Sequence, residues 1–240
     1  LLDDRGRVYV PSGDGTLYAL DRETGEEIWR FDAHTPEELQ TEDDVESLIR
    51  WFEGHVAIGS DGTLVVPNDN YMIYGIDRDT GEEKWRFRTR DMNWSLPAYN
   101  PALDRWYAGS VYVAFRNFHA FSGDTGEKAW AKGTLGSMVS SPMVTSASPD
   151  AAVISAGFDG FVRAFDPDTG RVLWKFAARD HIYASPAQLS TGTIIIPSTD
   201  GSIYALDPLT GESIWAFDTL EPIRSTPAID SEDRIYVGSG

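Results

Sequence analysis

Short alternating runs of apolar and polar residues fill almost the whole chain. Residues 14–29, DGTLYALDRETGEEIW, hold one such run, a turn and a second run, with Leu17, Ala19 and Ile28 placed to face a core. Runs of this length and period predict β-strands, and the Gly-containing turns between them predict hairpins. Nearly the same phrase returns as NYMIYGIDRDTGEEKW (70–85), NFHAFSGDTGEKAW (117–130), DGFVRAFDPDTGRVLW (159–174) and DGSIYALDPLTGESIW (200–215). Each copy carries a Thr-Gly pair and then a Trp: Gly25 and Trp29, Gly81 and Trp85, Gly126 and Trp130, Gly170 and Trp174, Gly211 and Trp215. Successive glycines lie 56, 45, 44 and 41 residues apart. A period near 40–45 residues is that of propeller blades, with four strands in each unit.

One unit can be read strand by strand. Within 185–218, SPAQLS, TIIIPS, SIYALD and SIWAF are the four strands. Asp200-Gly201 turns the second into the third, because both residues tolerate positive φ. Asp14-Gly15 and Asp159-Gly160 repeat that turn, and Asp69-Asn70 and Arg116-Asn117 stand in for it. In the second turn, Gly supplies the left-handed conformation, and Asp and Thr oxygens accept local backbone N–H bonds. The Trp supplies a broad flat surface to bury against the next blade. For Trp and Gly in this phrase the structural role outweighs any catalytic one.

GSIYALDPLTGESIW and its siblings resemble the tryptophan-docking repeats of the quinoprotein (PQQ-like) β-propeller superfamily. The resemblance covers almost the whole chain. It implies an all-β propeller of four-stranded antiparallel blades, with five full repeats plus half of a sixth in one domain spanning 1–240. Members usually have seven or eight blades, which implies that 1–240 belongs to a larger ring. The alternative is closure with five blades and two accessory strands. The superfamily includes pyrroloquinoline-quinone alcohol dehydrogenases, a non-catalytic outer-membrane assembly lipoprotein and repeat domains attached to bacterial kinases.

The longest spacing contains AHTPEELQTEDDVESLIRWFEG. Thr35-Pro36-Glu37 reads as a helix start, and Val45, Leu48, Ile49 and Phe52 follow helical spacing. This predicts a short helical insertion over 33–53, beside or over the channel mouth.

Charge narrows the partners. With 38 acids against 20 bases the formal net charge is −18, so nucleic acid and anionic membrane surfaces are poor partners. The acidity favours solubility, and any preference it confers is for basic partners. No apolar run approaches the roughly 18 residues that a spanning helix needs. Cysteine is absent, which excludes disulfides, thiolate metal sites and a cysteine nucleophile. His34, His55, His119 and His181 show no metal-ligand spacing, and no nucleophile elbow, Walker loop or zincin motif is present. DRDTGEE (77–83) resembles a calcium loop only superficially, because it is the blade turn. Asn93-Trp94-Ser95 is a formal glycosylation acceptor.

The loops that join one blade's outer strand to the next blade's inner strand deliver residues to the channel mouth. Aligning them on GHVA (54–57), SLPA (95–98), SSPM (140–143), ASPA (184–187) and STPA (225–228) brings Glu53, Trp94, Val139, Tyr183 and Arg224 to one position. Variable loops on a rigid scaffold are where recognition usually lives. The candidate binding rim is therefore Glu53, Asn93, Trp94, His181, Tyr183 and Arg224, suited to a protein or peptide segment or a small polar ligand. No catalytic or metal residues and no cofactor are expected. The resulting expectation is a non-catalytic scaffold, and the resemblance implies a periplasmic or extracellular location. The first alternative is a fragment of a quinone- and Ca²⁺-dependent alcohol or sugar dehydrogenase. In that family adjacent cysteines form a disulfide that stacks on the quinone, a device this chain cannot build. A further alternative is a kinase sensor domain.

Overall fold

The computed structural model describes residues 1–33, 50–89, 91–111, 116–146 and 151–240. Among them are 21 strands and no helix. The helical insertion expected at 33–53 falls chiefly on 34–49, outside the described residues.

The turns fold each apolar run back onto its predecessor, so every pairing between strands is antiparallel. The first sheet contains β1 (Arg7–Pro11), β2 (Thr16–Asp21) and β3 (Glu27–Asp32), and a single bridge from Leu2 to Val8 extends its inner edge. Four four-stranded sheets follow. They are β4–β7 (Ala57–Ile58, Thr63–Pro67, Met72–Asp77, Glu83–Arg88), β8–β11 (Ala98–Asn100, Arg105–Gly109, Phe118–Ser122, Lys128–Lys132), β12–β15 (Met143–Val144, Val153–Ala156, Phe161–Phe165, Val172–Ala177) and β16–β19 (Ala187–Gln188, Ile194–Pro197, Ser202–Leu206, Ser213–Asp218). The pair β20 (Ala228–Ile229) and β21 (Ile235–Tyr236) completes the series.

The hydrophobic core is divided into slabs between consecutive sheets. Leu17, Ala19, Trp29 and Phe31 of the first sheet meet Leu64, Val66, Tyr74 and Ile76 of the second. Equivalent clusters join the second sheet to the third, the third to the fourth, the fourth to the fifth and the fifth to the last pair. Sheets packed face to face in chain order, with an apolar layer at each interface, are the blades of a propeller.

The repeated Trp is aimed by a bulge that the alternation pattern does not reveal. Ala19 pairs with Trp29 while Leu20 pairs with Glu27, leaving Ile28 as the extra residue. The same shift recurs before Trp85, Trp130, Trp174 and Trp215. A bulge displaces one residue and changes which face the following side chains take. Ile28, expected to face the core, is therefore exposed, and Trp29 is buried in its place.

Each docked Trp lies on the Thr-Gly turn of the following blade. Trp29 Nε1 donates to Arg78 O (3.0 Å), Trp85 to Gly123 O (2.8 Å), Trp130 to Pro167 O (3.0 Å) and Trp174 to Pro208 O (2.9 Å). A Cβ on Gly170 would stand 2.7 Å from the Trp130 ring, at a φ of +65°. The turn glycine thus meets two demands, positive φ and contact with an indole. Trp215, in the last four-stranded sheet, is 40% exposed, whereas Trp130 is 8% exposed.

Candidate binding rim

The mouth loops are fixed to the blades by main-chain bonds. Phe52, Met138, Ile182 and Ile223 donate N–H to Ser12, Ser110, Gly157 and Ser198 O, at the turns that follow the second strands. These four side chains are buried; the next residue in each loop is exposed at Glu53, Tyr183 and Arg224 and half-buried at Val139. Trp94 also faces outward, beside buried Asn93. Local alternation leaves Glu53, Trp94, Tyr183 and Arg224 exposed and Val139 half-buried.

The hydroxyls in the Ser-Pro motifs tie neighbouring blades together. Leu96 N–H donates to Ser141 Oγ (2.9 Å), Ser141 N–H to Ser185 Oγ (2.9 Å) and Ser185 N–H to Thr226 Oγ1 (3.2 Å). The residue before each proline is thus committed to the scaffold.

The candidate residues form two groups. His181, Tyr183 and Arg224 line a cavity of about 410 Å³ with Phe158, Asp180, Thr199 and Pro222. Phe158 meets the His181 ring edge-on and lies tilted against Tyr183, both at 5.5 Å between centroids. His181 Nδ1 lies 2.5 Å from Asp180 Oδ1, and the His181 N–H bonds to Asp180 hold that carboxyl below its ordinary value. The Thr199 hydroxyl, also in the lining, donates to the His181 carbonyl (2.8 Å). Arg224 has no ion-pair or hydrogen-bond partner among the described residues. Aromatic walls, an imidazole and a free guanidinium can hold a planar or anionic group, or a peptide segment carrying one.

The second group contains Glu53, Trp94 and Asn93. Asn93 is buried, and its amide donates to Asn68 O (3.1 Å) and Thr89 Oγ1 (2.9 Å). It braces the loop that displays Trp94, and its burial rules it out as a glycosylation acceptor. Beside Glu53 and Trp94 stands Asp69. Burial first, then the negative charge of Glu53, pushes its carboxyl up to about 7, while an indole N–H bond from Trp94 opposes that rise.

Sequence reasoning missed Asp69, Phe158 and Thr199. They share a turn position, immediately before Asn70, Asp159 and Asp200. The i+4 residue bonds each of those turn residues: Asn70 with Tyr74, Asp159 with Arg163 and Asp200 with Tyr204. The left-handed position in the second blade is Tyr71 (φ +68°), and in the third Arg116 (φ +82°). The tight turn expected at Asp69-Asn70 is therefore one residue later, which moves Asp69 to the mouth. Aligning the turns on their i+4 partners would have revealed it.

On the opposite rim, the Thr-Gly turns bond their own aspartates. Asp21, Asp166 and Asp207 each accept the N–H of the turn Thr, which holds their carboxyls below the ordinary value. DRDTGEE follows the same pattern through Asp77.

Residues 2–136 and 158–240 match the family described as outer membrane protein assembly factor BamB. The chain belongs to this family of PQQ-like repeat propellers. It is 27% identical over 183 residues to the quinohemoprotein alcohol dehydrogenase of Comamonas testosteroni, covering 72% of this chain and 24% of that protein. It is 28% identical over 192 residues to the dehydrogenase subunit of the quinone alcohol dehydrogenase of Komagataeibacter europaeus, covering 71% and 24%. The chain thus spans about a quarter of these relatives' length. The crystal structure of BamB from Moraxella catarrhalis superposes with a TM-score of 0.65 at 22% identity, over 78% of this chain and 55% of that one. Its agreement in fold supports the propeller. No helix among the described residues is long and apolar enough to cross a membrane.

Proposed function

We propose that 1–240 forms one non-catalytic propeller domain that scaffolds protein interactions outside the cytoplasm, gripping a segment of a partner protein across the mouth rim. The observation carrying this reading is the contrast between rims. Exposed Trp94, Tyr183 and Arg224, the last without a bonded partner among the described residues, occupy loops that depart from the repeat, whereas the Thr-Gly turns share one pattern in which Asp21, Asp77, Asp166 and Asp207 accept the main-chain N–H of the turn Thr. Aromatic and Arg side chains dominate binding energy, at about 2 kcal/mol or more each when buried. The BamB family match and the outer-membrane role in its description support the scaffold and its location. In a pull-down from native extract, Trp94→Ala, Tyr183→Ala and Arg224→Ala should each weaken retention of a partner held by the wild type. Undiminished retention in all three, with loss on altering the outer strand 213–218, would instead place recognition on the propeller's side by strand addition.

The quinoprotein relatives favour a second reading, a portion of a quinone-dependent dehydrogenase. No three carboxylate or imidazole groups among them converge as a metal-ligand set, and the chain has no cysteine. Dye reduction with an alcohol after addition of pyrroloquinoline quinone and Ca²⁺ would establish this reading and displace the first.

A further inference from the structure

The cavity of about 410 Å³ on the mouth rim holds a guanidinium and a carboxylate that do not bond each other. Its charged groups are Asp180 and Arg224, with His181 beside them, and its apolar walls are Phe158, Tyr183 and Pro222. Asp180 is committed to His181: its Oδ1 accepts the main-chain N–H (2.7 Å) and faces the ring Nδ1. Arg224 is exposed and has no hydrogen bond or ion pair among the described residues. Its five N–H donors are therefore open to an incoming acceptor. The walls are fixed before any ligand arrives. Phe158 stands 5.5 Å from both the His181 and the Tyr183 ring. The Ile182 and Ile223 N–H bonds to Gly157 O and Ser198 O (both 3.2 Å) anchor the loops that carry Tyr183 and Arg224.

Charge and shape define what fits. The ligand is an anion, because the open group is a guanidinium, and a planar carboxylate matches its fork with two parallel bonds. A phosphate monoester would bring a charge of about −1.5 to −2 beside the resident Asp180, whereas a carboxylate brings one. The ligand also has an apolar body, since two rings and a pyrrolidine form the rest of the wall and Tyr183 is still 45% exposed. The volume lies near the low end of the roughly 300–1,000 Å³ of small-ligand sites, so it takes one residue and not a longer segment. Along an extended peptide, neighbouring side chains point to opposite faces, and alternate ones are about 6.5 Å apart. An acidic residue next to an apolar one therefore does not deliver both groups to one small cavity. A carboxy-terminal residue carries its carboxylate and its side chain on a single Cα. We propose that this cavity binds the carboxy-terminal residue of the partner segment, with its carboxylate on Arg224 and a large apolar side chain against Phe158, Tyr183 and Pro222. This rests on the mouth rim being a recognition surface, and it names the part of the partner chain that the rim takes.

The test follows the Arg224 Nε–H signal in the ¹⁵N-labelled full chain, assigned by its loss in Arg224→Lys. N-acetyl-phenylalanine should shift it saturably at millimolar concentration. N-acetyl-phenylalaninamide, which lacks the carboxylate, and N-acetyl-aspartyl-phenylalaninamide, which moves it to a side chain, should each bind about tenfold or more weakly. Arg224→Gln, followed through the Tyr183 amide signal, should weaken N-acetyl-phenylalanine by about tenfold or more. Tyr183→Ala, followed through Arg224, should weaken it several-fold. Both variants are first checked for a native spectrum. Equal binding of either amide, tighter binding of phenyl phosphate, no response to N-acetyl-phenylalanine, or unchanged affinity in both variants would each overturn the proposal. If N-acetyl-phenylalanine binds as expected while Tyr183→Ala and Arg224→Ala still retain the captured partner, the rim-scaffold reading fails and the carboxylate pocket stands. If those variants lose the partner but N-acetyl-phenylalanine gives no shift, the reading stands and the pocket fails.

Discussion

The two rims of this propeller use the same residue types for opposite ends. On the Thr-Gly rim, Asp166 accepts N–H bonds from Asp168 and Thr169 and an O–H bond from Thr169, and the neighbouring Gly170 supports Trp130. On the mouth rim, Asp69 is more deeply buried and has a bare oxygen, and Trp94 presents an exposed indole. A carboxylate that accepts three bonds from its own turn is a structural bolt. Asp69 differs from it both in its deeper burial and in its unpartnered Oδ1.

Breaking the Thr-Gly rim should have the largest effect. Trp130→Ala should cost about 3–5 kcal/mol, and Trp215→Ala about 1 kcal/mol or less, because Trp215 is already 40% exposed. Urea denaturation read by far-UV dichroism would check both, and equal losses would refute the docking account. A finer comparison uses glycines. Gly25 and Gly170 share positive φ, +72° and +65°, but only Gly170 has an indole against it. Gly25→Ala should cost the left-handed conformation, about 1–2 kcal/mol, and Gly170→Ala should exceed that by a further kcal/mol or so, as overpacking does. Equal midpoints would show that φ alone conserves the glycine's role.

The mouth rim should respond to pH. Asp69 titrates near 7 in the folded chain against an ordinary value of 3.8. Between these values the folded state holds a proton that the unfolded state has released. The group's stabilising contribution is therefore full below about 4 and is lost as pH rises through about 7. Asp69→Asn removes that loss, so its stability relative to wild type should rise between about pH 4 and about pH 7 and then level off. A pH-independent difference in urea midpoint would contradict the buried-acid assignment. The smallest effects belong to Tyr183→Ala and Arg224→Ala, expected to stay within about 0.5 kcal/mol of wild type while weakening binding. A large drop in melting temperature for either would mean that the residue props the cavity instead of presenting itself to a partner.

The outward positions of Glu53, Trp94, Tyr183 and Arg224 were legible because mouth loops alternate like short strands, and the Ser-Pro motifs gave their register. Phe158 and Thr199 were not legible as neighbours of His181 and Tyr183. They come from turns more than 15 residues away along the chain, and only sheet stacking brings them to one cavity. Asp69 was obscured differently, since Tyr71 takes the left-handed turn position that glycine holds elsewhere.

The sequence by itself determined the architecture. Five copies of one phrase specify the strands, the turns and an apolar face for every blade, because period-two alternation and turn chemistry are local properties written wherever they act. Only the tertiary structure revealed the bulge that turns each Trp toward the next blade, since a bulge is a mismatch between two strands and cannot be seen in either one alone. It also decided which carboxylates are satisfied. An Asp in a Thr-Gly turn finds its donors within three residues. The donors denied to Asp69, and the like charges of Glu53 and Asp91 acting on it, belong to loops that meet only when the blades stack. Hydrogen bonds and Coulomb interactions act through space over a few ångströms, so the chemistry of the rim follows from packing that the repeat does not encode.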